Sequence, residues 1–230
     1  MHYWLLGYIG DELDNVRLRL YLDADFAGDT RDAKSTSGGY LALVGDRTFF
    51  PLAWVSKRQT SISRSTTQSE VVSLAHSLFA EAIPALQLWS LLAGRNVVLE
   101  IKEDNQATTI VAKKDYSPKL RHVSRTHKVN LGSIAEILED EDVLLEYIDT
   151  NEQAADIFTK ALPPNKWDNA LDLLGINRTF PTDLKPLAIK RGEAELKAAA
   201  NGAAESKAAA KSAAEIPAIP AKLQWWRSNF

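Results

Sequence analysis

Cysteine is absent from this chain of 230 residues, so disulfides, thiolate nucleophiles and cysteine-ligated zinc sites are excluded by inventory alone. Histidine is scarce, and His122 and His127 miss the i, i+4 spacing of a helical metal pair, which argues against zinc. A surplus of one charge is also lacking. The 27 basic residues stand against 30 acidic ones for a net charge of −3, which disfavours a uniformly basic nucleic-acid binder but leaves local patches free to meet phosphates. No stretch approaches the roughly 20 apolar residues of a membrane span, and the apolar start from Met1 to Gly10 lacks the basic lead of a secretion signal. These absences lead us to expect a soluble intracellular protein, cytoplasmic or nuclear, with no membrane partner. What is present, 45% hydrophobic and 25% charged residues, is the composition of a domain with a packed core.

From Val16 to Asp25, apolar Val16, Leu18, Leu20 and Leu22 alternate with Arg17, Arg19 and Tyr21, the period of a half-buried strand, and the run ends on Asp23 and Asp25. Gly39 to Val44 and Thr48 to Val55 read as two more strands joined as a hairpin across Gly45-Asp46-Arg47. Ser69 to Leu92 carries apolar residues at helical spacing, with Pro84 expected to kink or divide the helix. Val97 to Ile101 reads as a buried strand leading into Glu103-Asp104-Asn105, where Asp104 or Asn105 caps a helix through Ala112. Val123 to Leu138 has a helical pattern, Val143 to Ile148 alternates as a fifth strand, and Asn151 to Leu162 is expected to close the core as a helix before Pro163-Pro164. Lys166 to Leu174 adds an amphipathic segment, and Trp54 and Trp89 are expected in the core. The element order predicts an α/β domain, a five-stranded mixed sheet flanked by helices, over residues 16–175. Residues 1–15 read as the remnant of a preceding connection, and residues 176–230 as a low-complexity, alanine-rich tail, helical or disordered, carrying Trp225-Trp226.

Five segments carry a family resemblance: Asp23 to Asp29, Lys34 to Tyr40, Trp54 to Gln59, Glu103-Asp104-Asn105 and Glu152 to Lys160. In this order the chain resembles, from about Tyr21 to Leu174, the RNase H domain of copia-type retrotransposon Pol polyproteins. The resemblance implies an RNase H-like fold and cleavage of the RNA strand of RNA–DNA hybrids, with Asp23, Glu70, Asp104 and Asp156 as catalytic and metal-binding residues. It also implies two Mg²⁺ ions, with Mn²⁺ as a substitute, and the reverse transcriptase and integrase of a parent element as further partners. The chemistry suits that donor set. Phosphodiester hydrolysis needs a neutralised phosphate oxygen, an activated water and a stabilised leaving oxygen, and hard divalent cations take carboxylate oxygens.

Each acid also has a plainer reading: a strand-end turn residue for Asp23, with Asp25 as the alternative ligand; a helix-dipole partner for Glu70; an N-cap for Asp104; a solvated helix acid for Asp156. Two departures from the pattern stand out. Gln68 occupies a position that is acidic in many relatives, and the loop from Tyr147 to Glu152 lacks the histidine of cellular and retroviral enzymes. For substrate binding, Lys113, Lys114, Lys119, Arg121, Arg125 and Lys128 form a basic stretch, and Lys57, Arg58, Gln59, Asn105 and His122 join Lys119, Arg121, Arg125 and Lys128 as candidate contacts to the hybrid. Hydroxyls of Ser61, Ser63, Ser65, Thr66 and Thr67 are placed to meet the minor groove. The alternative is a truncated or domesticated, inactive nucleic-acid-binding remnant.

Overall fold

The computed structural model describes residues 3–114 and 116–178; the alanine-rich segment and Trp225-Trp226 lie outside them. The strand β1 (Trp4–Leu5) precedes β2 (Arg17–Asp25), β3 (Thr36–Gly45) and β4 (Thr48–Arg58), which form an antiparallel meander. The helices α1 (Thr66–Ser77) and α2 (Ile83–Ala93) follow, then β5 (Leu99–Glu103), α3 (Gln106–Ala112), α4 (Val123–Thr126) and α5 (Leu131–Leu138). The chain ends its described part with β6 (Val143–Tyr147), α6 (Pro164–Leu174) and β7 (Ile176–Asn177). The main sheet has the order β4-β3-β2-β5-β6, with β2–β5 and β5–β6 parallel. This is the expected five-stranded mixed sheet flanked by helices.

Alternation decides which side chains meet which layer. Leu18, Leu20 and Leu22 of β2, with Leu41 and Leu43 of β3, pack on Val71, Leu74 and Leu78 from the α1 side. Tyr40, Ala42 and Val44 face the opposite way, against Ala154 and Leu174, with Tyr21 and Phe158 packed alongside. The Tyr40 hydroxyl donates to the Leu174 carbonyl at 2.8 Å, fastening the end of α6 to the sheet. β2 is therefore covered on both faces, and β5 buries Leu99, Ile101 and Glu103 on one side.

Several expectations need correction. The long helix is divided just before Pro84, as expected, but by a π-type turn over Leu78–Ala82, closed by Ile83 N–H on the Leu78 carbonyl, which gives the proline ring room in the first turn of α2. By length and composition Thr66–Ala93 also meets the test of a membrane span, contrary to the sequence reading, but 56% of its apolar 18-residue window is buried in this domain, where it serves as the core helix. The helix expected from Val123 to Leu138 is two helices, because Lys128 adopts a left-handed φ of 61° and Asn130 starts a new N-terminus by accepting from Gly132 N–H at 3.0 Å. The helix expected from Asn151 to Leu162 is replaced by 3₁₀ turns at Thr150–Glu152 and Asp156–Phe158. Gln153 between them donates to the Leu22 carbonyl at 2.9 Å and accepts from Ala155 N–H at 3.2 Å, so the chain is stitched to β2 instead of coiling away from it. Trp54 is 60% exposed on the edge strand β4, where it alternates with half-buried Ala53 and Val55, whereas Trp89 is partly buried against the core. Part of the segment read as a connection remnant is joined to the domain: β1 pairs antiparallel with β7, and Tyr8 bridges Phe49.

Candidate active site

Three of the four acids singled out in the sequence come together. One carboxylate oxygen from each of Asp23, Glu70 and Asp104 lies within 4.8 Å of the other two. Asp23 stands near the end of β2, paired in register with Gly38 of β3, and is 3% exposed. Asp104 follows the end of β5 and accepts from Thr150 Oγ1 at 2.9 Å. Glu70 occupies the second turn of α1. That helix starts where Ser65 accepts from Gln68 N–H at 3.2 Å, and the run Gln68 to Ala75 is buried, so Glu70 is pressed inward with its apolar neighbours. Ser73 fixes the relation of helix to sheet by donating to the Asp23 carbonyl at 2.8 Å and the Gly38 carbonyl at 3.2 Å.

Asp156 is not a member of this trio but adjoins it through a cation. Lys160 Nζ lies 2.9 Å from Asp156 Oδ1 and 3.5 Å from Asp23 Oδ2. Thr159 Oγ1 also donates to Asp23 Oδ2. The turn carrying Asp156, Thr159 and Lys160 approaches β3 so closely that a Cβ on Gly38 would stand 2.5 Å from Thr159 Cγ2 and 3.0 Å from the Ala155 carbonyl. Glycine at 38 is thus what lets the turn settle beside Asp23.

Sequence reasoning passed over Glu103, Thr159 and Lys160 as individual site residues. Glu103 is fully buried at the end of β5, and its Oε1 accepts from Asn105 N–H at 3.0 Å. The signal for Glu103 lay in its parity with Leu99 and Ile101, which share its buried side of β5. Crowding of negative charge shows in the protonation equilibria. Burial first, then the charges of Glu103, Asp23 and Asp104, push Glu70 far above the usual carboxylate range. Burial likewise raises Glu103, and raises Asp104 and Asp156 against the opposing effect of their hydrogen bonds. Burial works against the charge of Lys160, but Asp23 and Asp156 outweigh it, and its pKa is raised.

The donor set fits a hard divalent cation. All the converging ligands are carboxylate oxygens, and Glu70 Oε2 and Glu103 Oε2 are buried with no hydrogen-bond partner among the described residues.

The candidate substrate contacts are placed less uniformly. Lys119, Arg121, Arg125 and Lys128 are exposed, and His122 is half-buried, donating from Nε2 to Gln68 Oε1 at 3.0 Å if protonated there. Arg64, Ser65, Gln68, Lys119, Arg121 and His122 line a cavity of about 370 Å³ at the start of α1. Gln68 accepts from Arg64 N–H at 3.0 Å and so shapes the cavity wall. Lys57 is exposed and lies 3.0 Å from His76, and Arg58 is held by Asp29 and Asp32. Gln59 is corrected: it is 5% exposed, and its amide is used up on Ser37, Ser69 and Ser63, so it braces the loop and offers nothing to a ligand. Asn105 is engaged as the N-cap of α3, accepting from Thr108 N–H at 3.2 Å, which settles the capping alternative in its favour over Asp104. Among the hydroxyls, Ser61 donates to the Thr126 carbonyl and Ser63 to Gln59, so both hold loops together.

The sheet order and the acids at its end define an α/β domain built around a carboxylate cluster. No protein-family model matches the chain. It is similar to the retrovirus-related Pol polyprotein from transposon TNT 1-94 of Nicotiana tabacum, 29% identical over 188 residues that cover 76% of this chain and 13% of that protein. The corresponding polyprotein from transposon RE1 of Arabidopsis thaliana is 28% identical over 174 residues, covering 74% of this chain and 11% of that protein. The homologues of this chain are retrovirus-related Pol polyproteins of plant transposons, as the sequence motifs led us to expect, and the chain spans little more than a tenth of their length. Among solved structures it resembles LC11-RNase H1 isolated from compost, at 16% identity over 67% of this chain and 98% of that one, with a TM-score of 0.40. It also resembles the RNase H domain of PFV, at 13% identity over 79% of this chain and 96% of that one, with a TM-score of 0.41.

Proposed function

We propose that the chain is a metal-dependent endonuclease that hydrolyses the RNA strand of RNA–DNA hybrids, with Asp23, Glu70, Asp104 and Asp156 holding two divalent cations, Mg²⁺ or Mn²⁺. The observation that carries this reading is the convergence of Asp23, Glu70 and Asp104 within 4.8 Å, on separate elements, with unpartnered buried carboxylate oxygen beside them. Such cations, when bound, supply the charge that neutralises the scissile phosphate and lowers the pKa of an attacking water. The chain's own residues prepare for this. Thr159 donates to Oδ2 of Asp23 and holds its carboxylate beside the turn, and Thr150 orients Asp104.

The basic residues Lys119, Arg121, Arg125 and Lys128, with His122 over the cavity at the start of α1, are proposed to take backbone phosphates of the hybrid, and Lys57 and Arg58 to extend that contact along β4. The kinship with Pol polyproteins supports hybrid nucleic acid as the substrate and the reverse transcriptase and integrase of a parent element as partners. The test is incubation of the full chain with an RNA–DNA hybrid labelled on the RNA, with and without Mg²⁺. Internal cuts in the RNA that disappear in EDTA and in Asp104→Asn are expected. Hybrid bound by the wild type but left intact in Mg²⁺ contradicts the proposal and favours a binding remnant.

A further inference from the structure

Among the described ion pairs, the cation that touches any of the four acids is Lys160, and it touches two of them. Its ammonium sits between Asp23 Oδ2 and Asp156 Oδ1, while Glu70 and Asp104 are reached by no described ion pair. The site therefore has two unlike halves. Glu70 and Asp104 offer oxygens without a described counter-charge in contact, whereas the Asp23–Asp156 half already holds one.

We propose that Lys160 is the resident counter-ion of the second cation position, filling it in the metal-free protein and leaving it when a divalent ion binds there. This rests on the reading of the site as a metal centre. The ammonium is a compact point charge with three donors, so it satisfies the same carboxylate oxygens that a divalent ion needs, and both cannot hold Asp23 Oδ2 and Asp156 Oδ1 together. It also has a way out. The Lys160 side chain is 38% exposed, against 4% for Asp23 and 7% for Asp156, so it swings to solvent while the acids stay fixed. The turn that carries it is anchored independently through Thr159 to Asp23 and Gln153 to Leu22, so removal of the lysine leaves Asp156 in place. Binding is then sequential: the trio fills first, and the second ion pays for displacing Lys160.

The experiment is Mn²⁺ titration calorimetry of the full chain and of Lys160→Met, with thermal melts in EDTA and in saturating Mn²⁺. The weaker class of Mn²⁺ sites is expected to tighten by about tenfold or more in Lys160→Met, while the stronger class, which shares only Asp23 with the lysine, changes by much less. In EDTA the variant melts below the wild type, and Mn²⁺ closes the gap. Lys160→Gln serves in its place if the methionine variant does not fold. Isotherms of variant and wild type that superimpose, or both classes shifting equally, overturn the role of Lys160 while leaving the metal centre standing. No Mn²⁺ bound by the wild type overturns the metal centre and this proposal with it.

Discussion

The acids and the cations proposed to serve one substrate are held in opposite ways. Asp23 and Glu103 are buried near the carboxyl ends of β2 and β5, and Glu70 lies in the buried run of a core helix. Lys119, Arg121, Arg125 and Lys128 are exposed on short turns and a four-residue helix, with Lys128 in a left-handed conformation. Like charges brought together repel, and only a framework fixed by other contacts keeps them there; the raised pKa of Glu70, Glu103, Asp104 and Asp156 is the sign of that cost. Cations that meet a polyanion need no such framework, because attraction to phosphate is long-ranged and tolerant of position. On the proposed function, chemistry is built into the sheet, and affinity is spread over the loops.

The sharpest way to break this comparison is Asp104→Asn. It removes a member of a group acting as a unit, so kcat is expected to fall by roughly 10³-fold or more while hybrid affinity measured in EDTA stays the same. An equal loss in both quantities would mean the acids and the basic stretch are not separable. Next comes the framework itself. Gly38→Ala forces a methyl against the Ala155 carbonyl and Thr159, and is expected to cost about 1–3 kcal/mol in chemical denaturation and to lower activity by displacing Asp156. Unchanged activity would show that the turn is not held by this contact.

The pH dependence of the metal-free protein is a subtler probe. Glu70 is raised in the folded state, so the folded chain keeps a proton that the unfolded chain gives up above its ordinary value, and stability is lost as pH rises between the two. His76 and His127, both lowered by burial, act in the other direction, with their effect ending near the ordinary histidine value. The informative quantity is therefore a difference: in EDTA, the wild type should lose melting temperature relative to Glu70→Gln as pH rises from about 5 to about 8. A constant difference would mean that Glu70 is not crowded. The smallest expected effect is on the other side of the comparison. Lys119→Ala should weaken binding evenly across hybrid sequences and reduce the salt dependence of log K by about 1, with kcat unaltered.

Much of this arrangement was legible in the sequence. Alternation located β2 and the acids at its end, helical spacing located the face of α1 that turns Glu70 inward, and the motif around Asp104 sat where a buried strand runs out. The parts that escaped are those decided by tertiary contact. The stretch around Asp156 has the pattern of a helix, but Gln153 hydrogen-bonds to the Leu22 carbonyl and holds it in 3₁₀ turns, which is what places Thr159 and Lys160 on Asp23. Gln59 sits among basic residues in sequence, yet serine partners on other elements draw its amide inside. Trp54 has the size of a core residue but falls on the open side of an edge strand, and Glu103 was overshadowed by the acid beside it.

The central claim is that these carboxylates form one cation-binding centre. Crystals grown with Mn²⁺ and measured above its absorption edge test it directly. An anomalous peak about 2.1 Å from oxygens of Asp23, Glu70 and Asp104 is predicted, with a second between Asp23 and Asp156 where the Lys160 ammonium now lies. Manganese bound elsewhere on the molecule, with no peak among these side chains, would contradict it.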